Sequence, residues 1–442
     1  MGSCALHSII FLIFFTATAS VAQIQEQTQD QAQAQPQEAS FSLANAVEIA
    51  LSRSPKVLGL LAKLDEAKAS RGATRSQFLP RVGVAAGIEK NPSISIQSER
   101  LAYGYASWNL FNGFADRRAN QLASFEVAKA ELELEAVKFA VTLEVEEQFF
   151  KILGSLMMSG EWSEAVKING LGLKDARQRH GAGMLSSGDV VSFEIRQARL
   201  ESELADSRSE GELAKADFNR LIGHELGQSI KFSGSIPRYE LGEQVETVLK
   251  TADQRAFELR KSAIDVAKSE VEVAQWVSGV LPRVDFEARN GWLPLGERPT
   301  SLTAKNSSSA YFMVTAKMDL FSGLSSVNER RAAIARQSQS EQNLRESSSE
   351  LLSQVERHLR RLSLMEQRLR IESDNSSKTA KYKDTIAREY RAGIKSGVDY
   401  VAAIDLVIEA RRRYAESLLG WHSERFAIEN VIGRRLLIKE VK

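Results

Sequence analysis

The side chains able to do chemistry in this 442-residue chain gather at two short turns, not in a catalytic arrangement. Asp189 follows the first turn, Gly181 to Gly188, while Tyr390, Lys395 and Asp399 surround the second, Gly393 to Gly397. A phenol, an ammonium and two carboxylates at helix ends can hold elements together through hydrogen bonds and ion pairs, and such bonds yield when a competitor binds. Bond-breaking chemistry has no comparable support. The 5 histidines are scattered, with no His-Glu-x-x-His pattern and no Gly-x-x-x-x-Gly-Lys phosphate loop. Gly170-Leu171-Gly172 lacks the third glycine of a dinucleotide loop and lies inside a helical stretch. Cys4 is the single cysteine and sits in the first residues, so thiol catalysis, a disulfide staple and a thiolate metal cluster are all excluded from the mature chain. The expectation is a non-enzyme without cofactor or metal.

What positions the two turns is a duplication. Leu110-Phe111-Asn112-Gly113 recurs as Leu320-Phe321-Ser322-Gly323, an offset of 323 − 113 = 210 residues. Ala182-Gly183 with Ser186 and Asp189 recurs as Ala392-Gly393 with Ser396 and Asp399, and Leu221-Ile222-Gly223 recurs as Val431-Ile432-Gly433, both at the same 210. Leu79-Pro80-Arg81-Val82 recurs as Leu281-Pro282-Arg283-Val284 at 281 − 79 = 202, so the second copy is longer between these landmarks. The first repeat is assigned to 41–233 and the second to 234–442.

Each repeat reads as helix, β-hairpin and long helical hairpin. Helices run from Leu43 to Phe78, with a break near Pro55, and from about Val245 to Val280; both stop at prolines, Pro80 and Pro282. Alternation follows in Val82, Val84, Ala86 and Ile88 and in Val284, Phe286 and Ala288, and return strands cover about Leu101 to Leu110 and Tyr311 to Leu320. The hairpins are placed at about 81–110 and 283–320, closed by Gly113 and Gly323. Proline-free charged stretches then predict helices from about Ala115 to His180 and Ser325 to Arg391, each roughly 100 Å long at ~1.5 Å per residue. Ala123, Val127, Ala130, Leu134, Val137 and Val141 keep the alternating spacing of a coiled-coil seam, and the corresponding Ala333, Gln337, Ser340, Leu344, Ser347 and Leu351 form a more polar version. Tips fall at about 181–188 and 393–397, and second helices return to Ile222 and Ile432.

Composition fits a mainly α protein. Apolar residues make up 43%, charged residues 26%, and a net charge of +1 gives no general attraction to nucleic acid. The apolar run Ile9 to Phe15, followed by small residues with Ser20 and Ala22 at the cleavage positions, predicts a signal peptide over 1–22. It is too short for a spanning helix of ~20 residues. Every odd position from Gln23 to Gln37 is glutamine, which predicts a disordered leader over 23–40.

Four strands of about ten residues have the length to cross an outer membrane when tilted, and Tyr103, Tyr105, Trp108, Phe111, Trp292, Tyr311, Phe312 and Phe321 sit on or beside them as aromatic girdles would. Four strands cannot close a barrel, since open edges in lipid leave backbone groups unsatisfied. The edges therefore need other chains. The competing reading is a soluble periplasmic helical scaffold with two hairpins as caps, which predicts release without detergent.

From Phe41 to Gly433 the chain resembles the TolC family of outer-membrane efflux and type I secretion channels. The resemblance rests on Leu43-x-x-Ala46-x-x-x-Ala50-Leu51-x-x-x-Pro55, the Leu-Pro-x-Val entry to each first strand, the Leu-Phe-x-Gly exit from each second, the glycine turn followed by aspartate at each tip, and the duplication. It implies a homotrimer in the outer membrane of a Gram-negative bacterium, with a twelve-stranded transmembrane β-barrel in lipid and a helical α-barrel in the periplasm. The implied partners are a periplasmic adaptor and an inner-membrane ABC or proton-driven pump, and the implied cargo is small molecules or unfolded protein, with type I secretion alone as the alternative. On the matching positions it implies a gate lock in which Tyr390 and Lys395 tether the inner hairpin to Asp189 of the neighbouring one. It also implies a lumen-facing acidic ring at Asp399 and adaptor docking around Gly183 and Gly393. A second family acid is absent, with Ala402 and Ala403 in its place.

Overall fold

The computed structural model describes residues 40–90, 99–224, 231–232, 234–293, 309–321 and 323–441. The expected signal peptide and Cys4 lie outside these residues, as does the leader apart from Ser40. The first repeat begins with β1 (Ser40–Phe41), α1 (Leu43–Arg53) and α2 (Pro55–Arg75). After a 3-10 turn it continues through β2 (Arg81–Glu89), β3 (Glu99–Asn112), α3 (Ala115–Gly181), α4 (Ser187–Ile222) and β4 (Lys231–Phe232). The second follows the same order: β5 (Tyr239–Leu241), α5 (Val245–Arg255), α6 (Phe257–Gln275), β6 (Arg283–Trp292), β7 (Ser309–Lys317), α7 (Ser325–Arg391), α8 (Gly397–Ile432) and β8 (Ile438–Glu440). α3 and α7 each have 67 residues, and α4 and α8 each have 36, so the 210-residue period of the sequence is kept by the helices. β1 pairs in parallel with β4, and β5 antiparallel with β8.

Both short helix pairs break at one residue, Ser54 and Ala256, with nearly the same backbone (ψ 125° and 127°) although only the first is followed by proline. The second break is set by packing. A Cβ on Gly433, at the C-terminus of α8, would come within 2.8 Å of the Arg255 carbonyl, and one on Gly223 within 3.2 Å of that of Arg53. Each kink thus sits on a left-handed cap glycine (φ 71° and 68°), where any side chain would collide or strain the backbone.

Around these kinks lie two equivalent cores. Ala46, Ala50 and Val57 are buried against Val141, Val145, Phe149, Phe218 and Ile222 of α3 and α4. Val248, Ala252 and Leu259 are buried against Leu351, Val355, Trp421 and Ile428 of α7 and α8. Buried charge is paired there, as desolvation requires: Arg435 bonds Glu429 at 2.8 Å, and Glu146 lies 3.5 Å from Arg425. Of the expected seam, Val127, Ala130, Leu134 and Val141 are buried, and the polar version keeps only Ala333 and Leu351 fully inside.

Each strand-to-helix exit uses two consecutive left-handed residues, Gly113-Phe114 and Gly323-Leu324. Gly113 is also wedged, since a Cβ would lie 2.9 Å from the Ser278 carbonyl, whereas Gly323 has open space and is required only by its φ of 64°. β3 reaches Asn112 through a bulge between Asn109 and Phe111. β7 stops at Lys317, short of the expected Leu320, because Lys317 pairs with Arg283 and the residue before Arg283 is Pro282, which has no N–H to continue the ladder.

Candidate functional site

The four long strands form one antiparallel sheet in the order β2-β3-β6-β7, with β2 and β7 as unpaired edges. Register fixes its two faces. Val82, Val84 and Ala86 stand beside Ala106, Gly104 and Ala102; the same rows continue into Ala288, Asn290 and Trp292 of β6, and Phe286 of that face pairs with Trp108 and with Val314 of β7. This face is apolar and bare in one chain, with Val84 89% and Phe312 71% exposed. The opposite face carries Arg81, Ser107, Asn109, Arg283, Asp285, Glu287, Arg289, Thr315 and Lys317. Arg289 bonds Glu287 at 2.7 Å and lies over the rings of Tyr103 and Tyr311 at 5.5 and 5.9 Å. The expected aromatic girdle is therefore divided. Trp108, Trp292 and Phe312 belong to the apolar face, while Tyr103, Tyr105 and Tyr311 serve the polar one. An apolar outside and polar inside is the division that a barrel wall in lipid requires. Among the described residues no helix is long and apolar enough to cross a membrane, which bears on helices alone.

At the far ends of the helices the two turns have the same construction. Gly183 (φ 72°) and Gly393 (φ 77°) close Schellman-type caps, with Met184 N–H on the Arg179 carbonyl and Ile394 N–H on that of Glu389, both at 2.9 Å. Ser186 and Ser396 then open the return helices in reciprocal capping boxes: each hydroxyl accepts from the N–H of Asp189 or Asp399 at 3.1 Å, and each aspartate accepts in return. The Ser396 hydroxyl, followed by the Ser396 N–H and the charge of Lys395, holds the Asp399 carboxyl below its ordinary range. Asp399 is exposed, and of Ala402 and Ala403, which stand where the family has a second acid, the first is exposed and the second fully buried.

Between the tips the contact differs from expectation. The Tyr390 hydroxyl donates to Asp175 Oδ2 at 2.7 Å, not to Asp189, whose Oδ2 is bound to Ser186. Arg179 bonds the same Asp175 oxygen at 3.0 Å and lies over the Tyr390 ring at 5.2 Å, and Tyr400 stacks on that ring at 5.4 Å and 12°. Burial, then the hydrogen bond and charge of Asp175, push the Tyr390 phenol up to about 12, so it keeps its proton and remains a donor. Lys395 forms no ion pair within 4 Å among the described residues. Beneath this cluster Phe193 is 2% exposed, and Cβ atoms on Gly172 and Gly397 would lie 2.8 and 2.9 Å from its ring. Asp175, Phe193 and Tyr400 carry no motif. The Ser-x-x-Asp pattern of the capping boxes was the one signal available from sequence.

A family model described as outer membrane efflux protein matches residues 46–224 and 248–434. No curated protein matches the sequence. Among solved structures, the outer membrane protein VceC from Vibrio cholerae superposes with a TM-score of 0.71 at 15% identity, over 89% of this chain and 96% of that one. The Campylobacter jejuni CmeC outer membrane channel gives 0.73 at 12% identity, over 91% and 90%. The open state of the Neisseria gonorrhoeae MtrE outer membrane channel gives 0.73 at 13% identity, over 89% of each chain. At these identities the likeness is one of fold.

Proposed function

The chain belongs to the outer membrane efflux protein family, whose members are channels and not enzymes, and from that premise we propose that three copies assemble into one export duct. The protein resides in the outer membrane of a Gram-negative bacterium and extends into the periplasm. The observation that carries the assembly is the open four-stranded sheet with one apolar and one polar face. Its edges need partners in lipid, and three sheets end to end give twelve strands with every edge paired. The 67-residue helices would then line a periplasmic tunnel.

The duct has no energy source of its own in this reading. A periplasmic adaptor docks around the tips, near Gly183 and Gly393, and an inner-membrane ABC or proton-driven pump supplies cargo. The pump selects between small molecules and unfolded protein, so efflux and type I secretion share this exit. The bond from Tyr390 to Asp175 is the latch within each chain. Lys395 and Asp189, which hold nothing across the hairpins within the chain, complete the lock between copies, and Asp399 contributes an acidic ring.

Outer-membrane fractionation followed by mild-detergent extraction and mass determination tests the assembly. A particle of three chains in the outer-membrane fraction is expected. A monomer released without detergent would overturn the duct and leave a periplasmic scaffold.

A further inference from the structure

Halfway along the helical hairpins, α4 and α8 flank one face of α3 and leave a groove of about 480 Å³ between them. Its floor is apolar: Met158 and Trp162 of α3 and Leu419 of α8, with Gly154 adding no side chain. Its α4 wall carries Glu203, Asp206 and Glu210, whose spacing of three and four places them on one helical face. No cation lies within 4 Å of these carboxylates among the described residues. The two cations of the groove are each held by an acid of their own helix, one of which, Glu416, also lines the groove. Lys151 bonds Glu147 at 3.3 Å, and Arg412 bonds Glu409 and Glu416 at 2.9 and 2.5 Å. Between the acids Ser207 is 7% exposed and lines the groove, its hydroxyl bonded to no side chain or carbonyl among the described residues. In the second repeat the corresponding positions are Glu372 for Trp162, Arg413 for Glu203 and Gly420 for Glu210, so the groove is a property of the first hairpin alone.

We propose that this groove is a binding site for an amphipathic organic cation, an aromatic body with a positive charge. The volume is that of a small-molecule pocket, within the usual ~300–1,000 Å³. The floor from Gly154 to Trp162 spans roughly 12 Å of helix at ~1.5 Å per residue, too short to seat a partner helix of ordinary length. Unpaired carboxylates over an apolar, partly shielded floor attract a cation that also buries carbon, and the indole adds a face for it. The site is built by three helices of one chain and does not depend on the duct reading; failure of that reading would appear in the fractionation and mass, not here.

The test is isothermal titration of the full-length protein in detergent with tetraphenylphosphonium, using tetraphenylborate as an anion of the same shape. Binding of the cation at least about tenfold tighter than the anion is expected, weakening with salt. The triple change Glu203→Gln, Asp206→Asn, Glu210→Gln should lower cation affinity by about tenfold, and Trp162→Leu by about threefold. Ala214→Lys, which places an ammonium of the chain's own beside the acids, should abolish binding without removing any of them. Equal binding of cation and anion, or cation binding that survives both the triple change and Ala214→Lys, overturns the proposal. So does a particle that loses its subunits in the triple variant while cation binding persists, because the acids would then face a second copy.

Discussion

The two tips share one backbone and differ in what they hold out from it. Glycine cap, serine N-cap and aspartate recur 210 residues apart with φ values within a few degrees (72° and 77°), yet the groups that join the tips are not duplicated. Where the second tip has Tyr390 and Tyr400 the first has His180 and Val190, and where the first has Asp175 and Arg179 the second has Thr385 and Glu389. Duplication supplied two equivalent hairpin ends, and divergence at the facing positions made one a donor and the other an acceptor. The turn itself is the same in both repeats, while the contact between the tips is assembled from what the repeats do not share.

Four sets of measurements separate these contributions. Phe193→Ala removes the wedge shared by both hairpins and should cost about 3–5 kcal/mol, read as a fall in urea midpoint of the detergent-extracted protein. A loss below about 1 kcal/mol would show that the tips do not share a core. Tyr390→Phe removes a hydrogen bond to a charged acceptor, worth about 1.5–3 kcal/mol, and should raise single-channel conductance in a planar bilayer, as should Asp175→Asn. Lys395→Ala should raise it as well if the lock extends between copies; unchanged conductance in all three would remove the lock. Ser186→Ala and Ser396→Ala should each cost about 1 kcal/mol, equally at the two tips, seen as faster amide exchange in the first turns of α4 and α8. Unequal losses would break the equivalence of the turns. The smallest effect is on pH. Because the folded Asp399 carboxyl is held below its ordinary range, its contribution is complete above the unfolded value near ~3.9 and is lost as pH falls through the folded value. Protection of amides at the second tip, taken relative to their intrinsic exchange rate at each pH, should fall as pH drops below the unfolded value and through the folded one, and Asp399→Asn should flatten that response.

Much of the architecture was legible because it is written in period and punctuation. The 210-residue offset, Pro80 and Pro282, Gly113 and Gly323, and proline-free helical runs locate the long helices to within a residue or two and the strand ends to within about three. The break at Ala256 was not marked, since no proline follows it and its geometry comes from contact with Gly433. β1, β4, β5 and β8 have only two or three residues each, too few for an alternation to register. At the site, Tyr390 stood out in the sequence, whereas Asp175, which accepts its hydroxyl within the chain, did not. Asp175 lies within Lys174-Asp175-Ala176-Arg177, an ordinary charged helical stretch, and only the register of two helices 215 residues apart brings it to the phenol. Asp189 and Asp399 stood out for their place after a turn, and their first duty is to cap the helices they begin.

The pairing of β5 with β8 has a mechanical meaning. It holds residues 239–241 against 438–440, so the second repeat starts and finishes at one anchored point. The second leg of the long hairpin, α8, is thereby tied through β8 to the strand that precedes α5, so a pull along α8 is carried into the start of the repeat as well as into α7 at the tip.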